Sequence, residues 1–202
     1  GAGSALFLLQ AALAQMLNVG TVSLIARATG AGQHQQANRV FVQGMWLGLL
    51  LAVLTLLLGY LLTDWYLRQI SVDPAVQQAG REFLRWYLPA LSLSFLVTAI
   101  AAALRAVGVV KPVIIIQLCS VLVNIVLAPV LILGVGSGLA FGVAGAGAAT
   151  ALANAFGVVL LLLYFRRTRH PVLAVADKRI DVAIWRRLLG IGAPAGGEFA
   201  LM

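Results

Sequence analysis

Charge is scarce in this chain. Only 10% of its 202 residues are charged and six are acidic, against 62% hydrophobic residues and a mean hydropathy of +1.01. A soluble globule of this size could not cover so much apolar surface, so the solvent is a bilayer. Cysteine is nearly absent. Cys119 lies alone inside an apolar run, which excludes a disulfide framework or a CxxC metal or redox site and leaves it a packing role. The two histidines, His34 and His170, fall in polar connections and read as solvated. HExxH, GxxxxGK and GxSxG are all missing, and no apolar run holds two carboxylates. The usual signatures of membrane proteases, ATPases and hydrolases are therefore lacking, and the expectation is no enzyme, no metal and no bound cofactor. A net charge of +8 would point to nucleic acid in a soluble protein. Beside a membrane, the basic residues are expected to meet anionic lipid headgroups instead, with no nucleic-acid partner.

What the chain has is long apolar runs. Five can cross a membrane as helices, at about 4–26, 40–62, 83–104, 112–134 and 142–165, and a sixth begins near Leu188. The fold class is an all-α polytopic membrane bundle: residues 1–165 form the bundle, 166–187 a basic linker with a surface helix, and 188–202 the start of a further helix. Asp73-Pro74 reads as a helix start within a polar break at 63–82. GVGSGLAFG reads as a tight connection between the fourth and fifth spans. The chain opens at Gly1 without methionine and stops at Met202 inside fresh apolar sequence, the expectation for a piece of a longer protein. Residues 1–17 show no basic leader or cleavage pattern, which argues against a signal peptide.

Charge sets the orientation. The breaks after spans one, three and five carry Arg27 and Arg39, then Arg105 and Lys111, then seven basic residues between 166 and 187. Segments 27–39, 105–111 and 166–187 are therefore cytoplasmic by the positive-inside rule. The other two breaks mix signs or carry no charge and lie outside.

Polar residues inside the spans nominate a site. In the fourth span Gln117, Ser120, Asn124 and Ala128 form one stripe, and Pro129 frees the carbonyl of Ile125 one turn from Asn124. That combination points to a cavity or a moving part, and it makes this span the element on which the rest is organised. In the fifth, Gly142, Ala146, Thr150 and Asn154 repeat every four residues, a groove of small side chains carrying two polar groups. The glycines there imitate a dinucleotide-binding fingerprint, but no strand precedes them. Gly44 and Gly48 have small-xxx-small spacing for close helix contact. In the first span Asn18 and Thr21 share a face. Glu198, beyond Pro194, is the only acid inside a span; it is either a candidate for ion or proton coupling or, about ten residues from Leu188, an interfacial residue. Asn124, Thr150, Asn154, Gln117, Ser120, Asn18, Thr21 and Glu198 are the candidates for binding substrate or cation. The alternative is that the amides and hydroxyls only hold helices together.

TVSLIARATGAGQHQQANRV (21–40), LRAVGVVKP (104–112), NIVLAPVLILG (124–134), GVAGAGAAT (142–150) and LLGIGAPAGGE (188–198) together resemble the MATE multidrug and toxin extrusion transporters. The resemblance implies twelve helices in two six-helix lobes, alternating access, and antiport of protons or sodium. This chain would supply helices two to six and the start of seven, with the remaining helices as its partner. It further implies a cation-linked polar cluster in which Asn124 matches the helix-five Asn and Thr150 the helix-six Thr, while Ala128 stands where the family has an Asp. A bacterial inner-membrane exporter of amphipathic or cationic compounds follows, with a cavity bordered here by the polar faces of spans one, four and five. The alternatives are a flippase for a lipid-linked precursor and a non-transporting scaffold. Cysteines introduced at Ser71 and Thr168 are expected to label from opposite sides of the membrane; labelling of both from one side would overturn the topology.

Overall fold

The computed structural model describes residues 2–134, 141–168 and 180–201. These form six helices: α1 (Ala2–Gly30), α2 (His34–Ile70), α3 (Pro74–Ala106), α4 (Lys111–Leu133), α5 (Val143–Thr168) and α6 (Val182–Leu201). The first five are long and apolar enough to cross a membrane, and no strand occurs among the described residues. The all-α polytopic fold is thus observed.

Several boundaries differ from the sequence reading. Residues 34–39, 63–70 and 74–82, expected in polar breaks, are helical. Polarity alone does not stop a helix when the residues are Gln, Arg, Ala and Leu, which form helices readily. The break between α2 and α3 shrinks to residues 71–73, where Pro74 disfavours helical geometry in the residue before it. Asp73 caps α3 as its Oδ1 accepts from the Ala75 N–H at 2.9 Å. The hairpin is clipped by Arg81 and Asp64 at 2.8 Å, both largely exposed. At the other end α6 begins at Val182, six residues before Leu188 and inside the expected linker, with Asp181 capping Ala183 at 2.9 Å. Residues 135–140 of the tight connection and 169–179 of the expected surface helix lie outside the described residues. Gly134, at φ 68°, ends α4 in the left-handed conformation that glycine adopts without penalty.

α3 sits at the centre, and this corrects the expectation that the fourth span organises the bundle. α3 packs against α1, α2, α4 and α5, and six consecutive residues, Ala99 to Leu104, are buried. A helix buried on every side needs small residues so that neighbours can approach all round. α4 is peripheral. It rests mainly on α5, buries only Val113, and turns Ile114, Ile115, Leu118, Leu122, Ile125 and Val126 outward. Its outward face is long and aliphatic, which suits lipid, whereas the buried end of the central helix, Ala99–Leu104, is mostly alanine. α2 shows the same outward row at Leu50, Leu54, Leu57, Leu58 and Leu61.

Close backbone approach ties the helices together. Gly48 lies against Ala99 and the Phe95 carbonyl, both 3.4 Å from where its Cβ would stand, and Gly44 faces Thr21, as the small-xxx-small spacing implied. Gly145 of α5 abuts the Leu131 carbonyl of α4, and Gly147 the Phe83 carbonyl of α3. α1 and α6 run antiparallel with Ala12 beside Gly196, Met16 beside Gly192 and Leu188 beside Gly20, so contact recurs at every fourth residue of each. Pro89 removes the donor that the Arg85 carbonyl would have used, and the Tyr60 hydroxyl of α2 donates to that carbonyl at 2.8 Å.

A Cβ at Gly192 would run into the Met16 carbonyl, whereas Gly190 has open space. Gly192→Ala is expected to destabilise the bundle by about 1–3 kcal/mol, the usual range for overpacking, while Gly190→Ala leaves stability unchanged or raises it. Thermal unfolding in detergent measures both, and equal shifts would contradict the α1–α6 contact.

Candidate functional site

The stripe on α4 faces α5. Asn124 Nδ2 donates to Thr150 Oγ1 at 3.2 Å, and that hydroxyl donates to the Ala146 carbonyl at 3.0 Å. Both residues are half-buried. Asn124 stands 13 residues from Lys111, about 20 Å into the helix at roughly 1.5 Å per residue, which is mid-membrane depth. Ser120 lies one turn away with its hydroxyl buried and unpartnered, against Gly157, where a Cβ would come 2.6 Å from its Oγ. Gln117 is half-buried and makes no side-chain hydrogen bond among the described residues. The cluster is uncharged. Ala128 contributes no oxygen, and no group of three His, Cys, Asp or Glu side chains converges among the described residues. Such a seam can orient hydroxyls, amides, water or a weakly held cation, but it has no fixed negative charge.

The remaining candidates lie elsewhere. Asn154, expected to join Thr150, instead donates to the Ala90 carbonyl of α3 at 2.8 Å. It fastens α5 to the central helix, the structural one of its two readings. Thr21 is fully buried between α1 and α2, facing Gly44. Asn18 is half-buried and turns toward α3: its Oδ1 accepts from Arg105 Nη2 at 2.9 Å and its Nδ2 donates to Gln15 Oε1 at 3.1 Å. Eight residues earlier, Gln10 donates to Ser94 of α3 at 2.8 Å.

One polar set lies on the α1–α3 seam and another on the α4–α5 seam, with α3 between them. Arg105 was counted only as a cytoplasmic charge, and sequence reasoning missed its inward turn. The available signal was its place directly after buried Leu104 on a helix that continues through Ala106, which lays its stem along the bundle. Glu198 is exposed, on the side of α6 turned away from the glycines that meet α1. α6 begins at Val182, so Glu198 stands 16 residues along it and ten residues beyond Leu188, where the apolar run starts.

Five apolar spans with small-residue crossings and polar seams at mid-depth define a multi-pass α-helical membrane protein. The sequence profile of the MatE family matches residues 1–130. The chain belongs to the MatE family. It is 30% identical over 176 residues to the probable multidrug resistance protein NorM of Geobacillus kaustophilus (strain HTA426), a match covering 86% of this chain and 39% of that protein. With the probable multidrug resistance protein YoeA of Bacillus subtilis (strain 168) it shares 28% over 189 residues, 91% of this chain and 40% of the relative. The chain thus spans about two fifths of the length of the curated relatives it matches. Among solved structures, an inward-facing conformation of a multidrug resistance MATE family transporter of the MOP superfamily superposes with a TM-score of 0.87 at 25% identity, covering 97% of this chain and 44% of that one. An outward-facing conformation of such a transporter gives 0.83 at 25% identity, over 96% and 43%.

Asn124→Ala and Thr150→Ala are expected to couple by about 0.6 kcal/mol in a double-mutant cycle, the usual size of an interhelical hydrogen bond. Asn154→Ala, bonded elsewhere, is expected to add to Asn124→Ala without coupling beyond about 0.5 kcal/mol. Unfolding of the three single and two double variants reads both.

Proposed function

We propose that this chain forms most of one lobe of a bacterial inner-membrane exporter that moves amphipathic or cationic drug-like compounds by alternating access, in exchange for protons or sodium. The observation that carries this is the half-buried, uncharged Asn124–Thr150 pair at mid-membrane depth, on helices of a family whose relatives bear multidrug-resistance names. Uncharged donors and acceptors on apolar walls hold varied compounds weakly, as an exporter requires. The chain's similarity to both inward- and outward-facing structures supports a lobe that keeps its internal packing while access changes. With Ala128 in place of an acid, the exchanged charge falls to Glu198, which is the one carboxylate set deep along α6 and must be protonated, paired or reached by water. Arg105 favours a second reading. Turned into the α1–α3 seam with no carboxylate beside it among the described residues, it would suit a flippase for an anionic lipid-linked precursor.

Dye efflux by the complete transporter in vesicles with imposed proton or sodium gradients tests the proposal. Asn124→Leu is expected to lower the rate about tenfold or more while the protein stays folded, and Glu198→Gln to abolish the gradient dependence. Undiminished, gradient-driven efflux in both variants would remove the proposed roles, and no efflux by the wild type would favour a scaffold.

A further inference from the structure

At the cytoplasmic ends of α1, α2 and α6 the helices diverge and leave a groove of about 360 Å³. Its walls carry Arg39, Gln35 and Gln36 from α2 and Arg187 from α6, and Leu24 and Ile184 supply apolar surface. Arg39 also borders an adjoining groove of about 390 Å³ beside Asp181. We infer that this three-helix groove binds the phosphodiester headgroup of an anionic lipid.

Arg39 and Arg187 are far apart in sequence and meet only because α6 lies beside α1 and α2. Neither side chain forms an ion pair or hydrogen bond among the described residues. Two guanidinium groups facing one concave space repel each other unless an anion lies between them, and phosphate oxygens match their planar donor fork. Among the described residues the carboxylate nearby is that of Asp181, whose Oδ1 caps α6 by accepting from the Ala183 N–H at 2.9 Å, while the Asp181 backbone N–H donates to Gln43 of α2 at 2.9 Å. The second contact also anchors α6 to α2, the two helices that bring Arg187 and Arg39 to the same groove. Gln35 and Gln36 add amide donors for the remaining phosphate oxygens. The level is that of the headgroups, since Arg39 and Arg187 belong to cytoplasmic segments by the positive-inside rule. A free phosphate ion would satisfy the arginines but not Leu24 and Ile184. A glycerol backbone and the first methylenes of acyl chains satisfy both, so the lipid is the source to which the groove is matched.

The test is native mass spectrometry of the delipidated complete transporter, titrated separately with phosphatidylglycerol, phosphatidylcholine and inorganic phosphate. Phosphatidylglycerol is expected to bind about tenfold more tightly than phosphatidylcholine and to raise the unfolding temperature. Arg39→Gln with Arg187→Gln should cut that affinity roughly tenfold or more, whereas Arg68→Gln on the outer hairpin should leave it unchanged. Should the double variant fail to fold, each single variant is expected to show part of the loss, and Arg39→Lys with Arg187→Lys to retain most of the binding. Unaltered phosphatidylglycerol affinity in the folded glutamine variants would overturn the inference. Displacement of the lipid by equimolar inorganic phosphate would also overturn it, by making the groove a site for the free ion. None of these outcomes depends on transport.

Discussion

The structure depends on how closely backbones can approach in a solvent as apolar as the side chains themselves. Lipid supplies no hydrophobic force between helices, so association rests on dispersion and on the few polar contacts that proximity allows. Each crossing here is made by a glycine or alanine set against a neighbour's backbone: Gly48 on α3, Gly145 and Gly147 on α4 and α3, and Gly192 on Met16. The alanine-rich stretch at 99–103, interrupted by Ile100, extends the same rule to the part of α3 that is enclosed. Large aliphatic residues are left for the periphery, where α2 and α4 present them outward.

A second constraint is hydrogen-bond accounting. An unmet polar group in hydrocarbon is costly, and the proline in α3 creates one that Tyr60 meets. Asn154 spends its amide on the α3 backbone, and Gln10 and Asn18 spend theirs on Ser94 and Arg105. Asn124 and Thr150 differ from these because their bond joins two side chains and both remain partly accessible, so a guest can compete for it. Most membrane amides in this bundle are therefore fastening, and the α4–α5 seam is where polarity is left to spare.

Electrostatics divides the molecule by side. At the α2–α3 hairpin, the outer side by the positive-inside rule, Arg81 and Asp64 form an exposed pair of the kind that contributes about 0–1 kcal/mol. On the cytoplasmic side arginines outnumber acids, and the convergence of Arg39 and Arg187 gathers that excess at one place. The same bias that orients the chain during insertion thus leaves a localised anion site in the folded protein.

Sequence by itself determined the helical class and the number of long apolar spans, because length and hydropathy each act locally and need no partner. It also determined the family, through short motifs in fixed order, and the Asn124–Thr150 pair, because one helical stripe met another at matching depth. Which helix is central was not legible. Hydropathy measures affinity for lipid, so it ranked α4, little buried among the described residues, above α3 with its buried alanine-rich end. Likewise the polarity of residues 63–82 concealed helix, since a break is made by Pro74 and Asp73 and not by charge. Only the tertiary structure decided that Asn154 bonds to α3, that Thr21 is buried against Gly44, that Arg105 turns inward to Asn18 and that Arg39 and Arg187 line one groove. Those outcomes depend on which helices lie side by side, and that choice is made by small residues whose pattern recurs in every span and names no partner.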